Sequence, residues 1–327
     1  MDEACRPVIS QTAIALIFVL PAVADRIESD ATPVRVATYN GRLTQEPPRM
    51  SRPSQFAVFG HPIAHSLSPQ IHHAFAQQFG IALEYRTIDA EPAAFAEAVK
   101  RFFHEEQGHG ANVTLPHKAA AFALADEHSQ AATRVGTANV LTRLADGRIA
   151  AHNTDGAGVV RDLTDRHSID LRGHDALMLG AGGAARGIAW SLLDAGVSTL
   201  TVVNRSPEAA DILADAIGEP ARVHTRYWED LGNIGSYDLI IHATSAGTLG
   251  QSLNLPFSLV APRAVCYDLG YGKSAFGFLS WARAAGTRYA YDGLGMLVET
   301  AADAFELWHG KRPETEPVYQ SLLTRSA

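Results

Sequence analysis

The chain has 327 residues, which is enough for two domains that each bury a hydrophobic core. Hydrophobic residues make up 46% of the chain and charged residues 19%, a composition typical of globular proteins and not of disordered ones. The formal net charge of -8 argues against nucleic acid and against an anionic membrane as partners. Any anionic substrate must therefore be met by local groups.

The cysteines and histidines indicate neither disulfides nor a metal site. Cys5 and Cys266 lie far apart and in no metal-type spacing, a pattern that fits a reducing compartment, and we expect the cytoplasm. Four of the histidines lie close together in the sequence, namely His61, His65, His72 and His73. None forms an H-x-x-x-H pair with a helical carboxylate partner, so we expect no metal.

Residues 1–53 are predicted to be a leader. Residues 13–24 form an apolar run of signal-peptide length that ends in an A-x-A pattern. The residues before the run are acidic with a single arginine, however, and the run is too short to span a bilayer comfortably. We therefore expect either a disordered segment or a native start near Met50, and a leader that is dispensable.

From residue 54 onward, short apolar runs alternate with helical patterns, which is typical of an α/β fold. Strands of the first unit are predicted at 56–60, 82–88 and 110–115. Helices follow the first two strands, and a third helix is predicted to begin at Pro116. This alternation predicts a mostly parallel sheet with crossover helices.

The second unit begins near residue 160 and has the element order of a Rossmann-like dinucleotide-binding domain. Its strands are predicted at 176–180, 198–205, 237–244 and 264–269. A final helix, predicted from about 293 to 308 by its apolar spacing, is expected to return to the first domain. The expected boundaries are 54–159 with 293–327 for one domain and 160–292 for the other.

A glycine-rich turn follows the strand predicted at 176–180. Gly180 permits a tight turn, Gly182 lets the backbone approach a pyrophosphate, and the next helix offers its N-terminal amides. The following strand ends in Asn204-Arg205-Ser206, where a carboxylate that would hold a ribose 2'-hydroxyl is missing and a guanidinium is present. The alternative is a surface arginine at a strand end, but the pattern favours NADP over NAD.

Polar residues in the first unit suggest a chemical site. Asn112 and Thr114 point the same way because side chains alternate along a strand, and Lys118 follows in the first turn of a helix. Asp155 lies in a polar turn before another helix. Each has an ordinary alternative, a solvated lysine for Lys118 and a helix cap for Asp155.

These segments together resemble the shikimate dehydrogenase family. The resemblance runs in order from Phe56 to near Tyr319 and is carried by the motifs GHPIAHSLSP, GANVTLPHK, GTANV, HNTDGAG, GAGGAARG, NRS, ATSAG and YDGLGML. It implies an α/β substrate domain and a Rossmann-like NADP-binding domain with the active site in the cleft between them. The implied activity is the NADPH-dependent, reversible reduction of 3-dehydroshikimate to shikimate, on the route to chorismate and aromatic amino acids.

The resemblance also implies roles for individual residues. Lys118 would be the catalytic group, hydrogen-bonded with Asp155, and Asn112 would support the site. Residues implied to bind substrate are Ser66, Ser68, Thr114, Asn139, Asp155, Tyr271 and Thr300. Residues implied to contact the cofactor are Gly180, Ala181, Gly182, Gly183, Ala184, Asn204, Arg205, Ser206, Leu269, Gly293 and Met296.

Two departures from the family pattern keep alternatives open. Thr300 stands where the family usually has glutamine, and Ala209 stands where many NADP-specific members have a second arginine. They suggest as an alternative an NAD-using quinate or shikimate dehydrogenase paralogue. Arg205 argues against this alternative, because NAD-using relatives tend to carry an acid at this strand end. A non-catalytic ligand-binding relative is a further alternative, and it is disfavoured because Lys118 and Asp155 are both present. Monomer and homodimer are both compatible with the sequence.

Overall fold

The computed structural model describes residues 53–251 and 253–326. They belong to one compact unit, which spans Arg52–Ala327. The predicted leader up to residue 52, including its apolar run, lies outside the described residues, so that expectation stays a prediction. In the part of the chain that the structure describes, no helix is both long and apolar enough to cross a membrane.

The first of two six-stranded sheets is mixed. Its strands are β1 (Ser54–Gly60), β2 (Leu83–Asp89), β3 (Gly110–Val113), β4 (Glu127–His128), β5 (Val140–Arg143) and β6 (Ile149–His152). They lie in the order β2-β1-β3-β5-β6-β4. Three neighbouring pairs are parallel, but β5 runs antiparallel to both β3 and β6. The mostly parallel sheet is confirmed, whereas the antiparallel strands were not predicted, because two to four residues are too few to show a periodicity.

The second sheet is parallel throughout. Its strands are β7 (Asp175–Leu179), β8 (Thr199–Val203), β9 (Val223–Arg226), β10 (Tyr237–His242), β11 (Val260–Asp268) and β12 (Tyr289–Tyr291). They lie in the order β12-β11-β10-β7-β8-β9, so the strand order reverses next to β7. In such sheets, ligands bind at the carboxyl ends of the strands beside that reversal. The predicted Rossmann-like sheet is therefore present.

Ten α-helices lie in the described part of the chain. They are α1 (Ser68–Phe79), α2 (Phe95–Lys100), α3 (Lys118–Leu124), α4 (Gln130–Val135), α5 (Asp155–Arg161), α6 (Gly183–Asp194), α7 (Pro207–Ile217), α8 (Phe276–Ala284), α9 (Leu294–His309) and α10 (Glu316–Ser326). The third helix was predicted to begin at Pro116, and it begins two residues later. The predicted final helix corresponds to α9.

Helix α9 packs against elements that belong to the first sheet and its helices. Val298 and Phe305 are fully buried in a cluster that also contains Ile71 and Phe75 of α1. The rings of Phe75 and Phe305 pack edge to face at 5.9 Å between centroids. After its last strand in the second sheet, the chain therefore packs through α9 against α1 beside the first sheet.

A buried ionic network fixes the turn after α5 against both α9 and the second sheet. Asp162 is fully buried and accepts hydrogen bonds from the hydroxyl of Tyr267 on β11 at 2.6 Å and from Nε of Arg166 at 2.9 Å. The same Arg166 donates to Glu299 of α9 at 2.8 Å. Burial raises the pKa of the Asp162 carboxyl, and its two hydrogen-bonded partners, Tyr267 and Arg166, satisfy it. The end of α5 is held in place by this junction.

Candidate active site

Lys118 and Asp155 form an ion pair at the first residues of α3 and α5. Nζ of Lys118 donates to Oδ2 of Asp155 at 2.6 Å, and the two side chains are only 15% and 5% exposed. A charge-assisted bond of this length, largely out of water, holds the ammonium group in one direction. The arrangement presents a fixed cation that can stabilise or protonate an oxygen on which negative charge develops.

The turn before α5 is held by Asn139. Its Nδ2 donates to Oδ1 of Asp155 and to Oγ1 of Thr154, both at 2.9 Å, and its Oδ1 accepts from the backbone amide of Thr154. The backbone amide of Asp155 also donates to Oδ1 of Asn153 at 3.1 Å. The structure therefore brings Asn139 to Asp155, as expected. Thr154 and Asn153 were not singled out, although they are the neighbours of Asp155 in the sequence.

Asn112 lies at the end of a second buried network, with His72 and Tyr85. Its Oδ1 accepts from the Tyr85 hydroxyl at 2.6 Å and faces Nε2 of His72 at 3.0 Å. An amide oxygen can only accept, so Nε2 of His72 carries the ring proton. Burial lowers the pKa of the His72 imidazole to about 3 and keeps the ring neutral. Because Oδ1 of Asn112 accepts both bonds, its Nδ2 points the other way, toward the backbone carbonyl of Asn139 at 3.5 Å.

The predicted carboxylate-binding residues come from both sheets. Ser66 donates to Oγ of Ser68 at 3.2 Å, in the turn that precedes α1. Tyr271 follows β11 of the second sheet, yet its side chain packs against the same apolar cluster as Leu67, which lies between the two serines. Burial raises the pKa of Tyr271, so its hydroxyl is protonated and available as a donor. The structure brings these three residues together.

Thr300 and Thr114 lie at the margins of this group. Thr300 is 8% exposed, and its hydroxyl donates to Leu297 of its own helix at 3.0 Å. Its backbone carbonyl accepts from Oγ1 of Thr154 at 3.3 Å, which places it beside the turn of Asp155. Thr114 follows β3 and donates its amide to Phe59 at 2.9 Å.

The glycine turn lies beside the ion pair. Gly180 has a φ of +119°, and a Cβ there would lie 2.7 Å from the carbonyl oxygen of Ala243, so only glycine fits. A Cβ at Gly182 would meet nothing within 4 Å, which leaves the backbone of the turn open. A Cβ at Gly183 would lie 3.7 Å from Cβ of Lys118. The nucleotide-type turn and the candidate catalytic lysine are therefore neighbours.

Two arginines lie at the next strand ends. Arg205 is exposed in the turn after β8, where Asn204 donates to the carbonyl of Ser206 at 3.0 Å. Arg226, the last residue of β9, is also exposed and pairs in register with Val203, the last residue of β8. Neither guanidinium has an ion pair with any described residue. Arg226 was missed because β9 was not predicted, so nothing in the sequence marked it as the neighbour of Arg205.

The remaining cofactor candidates lie where β11 and α9 meet. Gly293 packs against the carbonyl of Leu269, a contact that a Cβ would obstruct. The Leu269 amide donates to the carbonyl of His242 at 2.9 Å, and Met296 is 7% exposed in the first turn of α9. The structure thus groups Leu269 with Gly293 at the carboxyl edge of the second sheet.

Comparison with known proteins identifies the family. Models described as shikimate dehydrogenase substrate binding domain, shikimate / quinate 5-dehydrogenase and shikimate 5'-dehydrogenase C-terminal domain match residues 58–141, 162–250 and 293–323. A shikimate dehydrogenase (NADP(+)) of Xylella fastidiosa is 56% identical over 271 residues, which cover 82% of this chain and 95% of that protein. The chain belongs to the shikimate dehydrogenase family. The resemblance inferred from the motifs is confirmed.

Solved structures agree with this membership in the shikimate dehydrogenase family. An Ael1 enzyme from Pseudomonas putida has 40% identity and a TM-score of 0.75, over 82% of this chain and 98% of that one. Shikimate 5-dehydrogenase from Thermus thermophilus, in complex with NADP(H) and shikimate, has 32% identity and a TM-score of 0.71. The match covers 84% of this chain and 100% of that enzyme. The predicted α/β fold is confirmed.

Proposed function

We propose that this protein is an NADP-dependent shikimate dehydrogenase, which reduces 3-dehydroshikimate reversibly to shikimate on the route to chorismate. One observation carries the proposal: the ion pair of Lys118 and Asp155 lies beside Gly183 of the glycine turn, so an acid–base group and a cofactor site adjoin. The relatives named above support it, since one is a shikimate dehydrogenase (NADP(+)) and another has NADP(H) and shikimate bound.

The second sheet fits NADP. The open backbone at Gly182 and the N-terminal amides of α6 suit a pyrophosphate. Arg205 and Arg226 have no carboxylate partner among the described residues, which suits a 2'-phosphate. An NAD-using paralogue is not favoured, because two guanidinium groups stand at the strand ends where an acid would bind the 2'-hydroxyl. The proposed cofactor contacts are the residues Gly180 through Ala184, Asn204 through Ser206, Leu269, Gly293 and Met296.

Bound NADPH supplies the hydride that converts the C3 carbonyl of the substrate to an alcohol. Lys118 donates from Nζ to the carbonyl oxygen as negative charge develops on it. Asp155 holds the ammonium group through Oδ2 and is itself held through Oδ1 by Asn139. The side chains of Lys118 and Asp155 are largely buried, so little water reaches the ion pair. Their electrostatic interactions are therefore stronger than they would be in water.

The first sheet and Tyr271 bind the substrate in this proposal. The hydroxyls of Ser66, Ser68 and Tyr271 are donors that suit the substrate carboxylate, as the family resemblance implies. Thr114, Asn139 and Asp155 face the ring hydroxyls, with support from Asn112. The hydroxyl of Thr300 is bonded within its own helix, so this position contributes little to binding.

Domain boundaries, cellular location and assembly are also proposals. The substrate domain comprises 54–159 and 293–327, and the cofactor domain comprises 160–292, which agrees with the membership of the two sheets. A cytoplasmic location agrees with the free, buried thiol of Cys266, whose pKa burial raises to about 12. Both a monomer and a homodimer agree with the fold.

The test is the reduction of NADP and NAD, followed at the nicotinamide absorbance with shikimate and with quinate. We expect fast turnover of NADP with shikimate, and in Lys118→Ala a kcat at least about 100-fold lower with little change in NADP binding. The matched control is Lys311→Ala, because that lysine lies over the ring of Phe79, remote from the ion pair. The proposal would be refuted if the unaltered protein turned over neither shikimate nor quinate with either cofactor.

A further inference from the structure

His242 and Asp268 form a buried pair that the proposed reaction does not use directly. They are the last residues of β10 and β11 and lie opposite each other in the sheet register. Both are almost fully buried, and Nδ1 of the imidazole lies 2.8 Å from Oδ2 of the carboxylate. The ring of His242 also stacks on Phe278 at 5.1 Å. Burying two polar groups at this edge of the sheet costs free energy, which their hydrogen bond to each other offsets.

The pair continues into both loops that leave these strands. Nε2 of His242 lies 2.7 Å from Oγ1 of Thr244, and that oxygen accepts from the amide of Ala246 at 3.2 Å. At the other end, Oδ1 of Asp268 accepts from the amide of Gly270 at 2.7 Å. Five groups thus form one chain of hydrogen bonds from loop 243–247 to loop 269–271.

For a neutral imidazole ring, one arrangement of protons satisfies every member of this chain. A carboxylate accepts, so Nδ1 of His242 carries the ring proton and donates to Asp268. Nε2 is then an acceptor, and the hydroxyl of Thr244 donates to it while accepting from the Ala246 amide. The network therefore predicts the Nδ1-protonated tautomer for His242, the opposite of the tautomer of His72.

The two loops border both proposed binding sites. Loop 243–247 lies against the glycine turn, because a Cβ at Gly180 would meet the carbonyl of Ala243. Loop 269–271 carries Leu269, which contacts Gly293, and ends at Tyr271, which reaches the serine turn of the first sheet. The network therefore links the position of the cofactor turn to that of the substrate-binding tyrosine.

We propose that His242, together with Asp268 and Thr244, is a positioning residue that sets these two loops for NADP and for substrate. The inference rests on the proposed function and adds to it a second group of residues needed for binding. A hydroxyl, an imidazole and a carboxylate in a row also occur in acyl-transfer enzymes. Here the imidazole is 3% exposed, so an acyl group has no access to it and the role is positional.

The experiment measures NADPH binding directly, by fluorescence or calorimetry, together with kcat and KM. Thr244→Val removes only the hydroxyl, and we expect the Kd for NADPH to rise about tenfold, the effect of one lost hydrogen bond. Thr244→Ser keeps the hydroxyl and is expected to restore the unaltered value. Thr199→Val is the matched control, since Thr199 loses a comparable bond to Asp175 at the amino end of β8, the opposite edge of the sheet.

Asp268→Ala is expected to raise both the Kd for NADPH and the KM for shikimate, because it removes the acceptors of His242 Nδ1 and of the Gly270 amide and so releases both loops. Equal effects of Thr244→Val and Thr199→Val on NADPH binding would overturn the inference. A second measurement does not depend on any variant: nitrogen-15 NMR of the unaltered protein is expected to find Nδ1 of His242 protonated, and protonation at Nε2 instead would also overturn it. Failure of the proposed function itself would appear separately, as an unaltered protein without NADPH binding or turnover.

Discussion

Gly187 of α6 lies directly against the carboxylate of Asp155: a Cβ at this glycine would be 2.9 Å from Oδ2 and 3.1 Å from Cβ of the aspartate. Helix α6 begins at the glycine turn, and Asp155 begins α5, so this contact joins the proposed cofactor helix to the proposed catalytic pair. The absence of a side chain at position 187 allows the two helices to approach so closely.

We therefore expect Gly187→Ala to lower kcat by at least about tenfold, because the new methyl group displaces Asp155 from Lys118. Helix propensity alone predicts that the same substitution stabilises the protein, since alanine is favoured over glycine in a helix by about 1 kcal/mol. The control is Gly277→Ala in α8, where a Cβ meets nothing within 4 Å and a small gain in stability is expected. Unchanged kinetics in Gly187→Ala would show that the contact does not matter for the reaction.

The preference for NADP is expected to depend on both strand-end arginines. Arg205→Gln and Arg226→Gln should each lower kcat/KM with NADP about tenfold or more, since a hydrogen bond to a charged group contributes about 1.5–3 kcal/mol. The kcat/KM with NAD should hardly change, because NAD lacks the 2'-phosphate. Arg288→Gln, an exposed arginine just before β12 at the amino edge of the sheet, serves as control. Equal losses with both cofactors would contradict this role.

Thr300→Gln is expected to lower the KM for shikimate by up to about tenfold with little effect on kcat. The present hydroxyl is bonded to Leu297, whereas a longer amide at this position beside Thr154 can reach toward the ring hydroxyls. One added neutral hydrogen bond contributes about 0.5–1.5 kcal/mol. Thr300→Ser is the control, because it keeps the bond within the helix. A KM that does not fall in the glutamine variant would mean that position 300 does not reach the substrate.

His72 is expected to make the protein less stable in acid. The pKa of His72 is about 3 in the folded state, whereas an exposed histidine has a pKa of 6.5. Between pH 3 and pH 6.5, His72 is therefore protonated in the unfolded chain but neutral in the folded protein. The contribution to stability is complete above pH 6.5 and is lost as the pH falls toward 3, by about 1.4 kcal/mol for each pH unit. Denaturant unfolding at several pH values measures it.

His72→Gln should flatten this dependence, whereas His73→Gln, at the exposed neighbouring histidine, should leave it unchanged. The same slope in both variants would mean that other groups cause the acid sensitivity. The glutamine variant is also expected to raise the KM for shikimate, because His72 orients Asn112.

Several features could be predicted from the sequence because they depend on a few consecutive residues. The turn from Gly180 to Gly183 needs only a strand before it and a helix after it, and Arg205 follows the next strand without an acid beside it. Lys118 was found in the same way, at the start of a helix. The family resemblance then supplied roles for residues that no local pattern marks, such as Asn139 and Tyr271.

The tertiary structure alone decided which distant residues meet. Strand register places Arg226 beside the end of β8 and His242 opposite Asp268, and helix packing places Gly187 against Asp155. The antiparallel β5 and β6 are too short to show a periodicity, so only their pairing reveals them. Local sequence determines backbone conformation over a turn or a strand, whereas hydrogen bonds between residues far apart depend on the packing of whole sheets and helices.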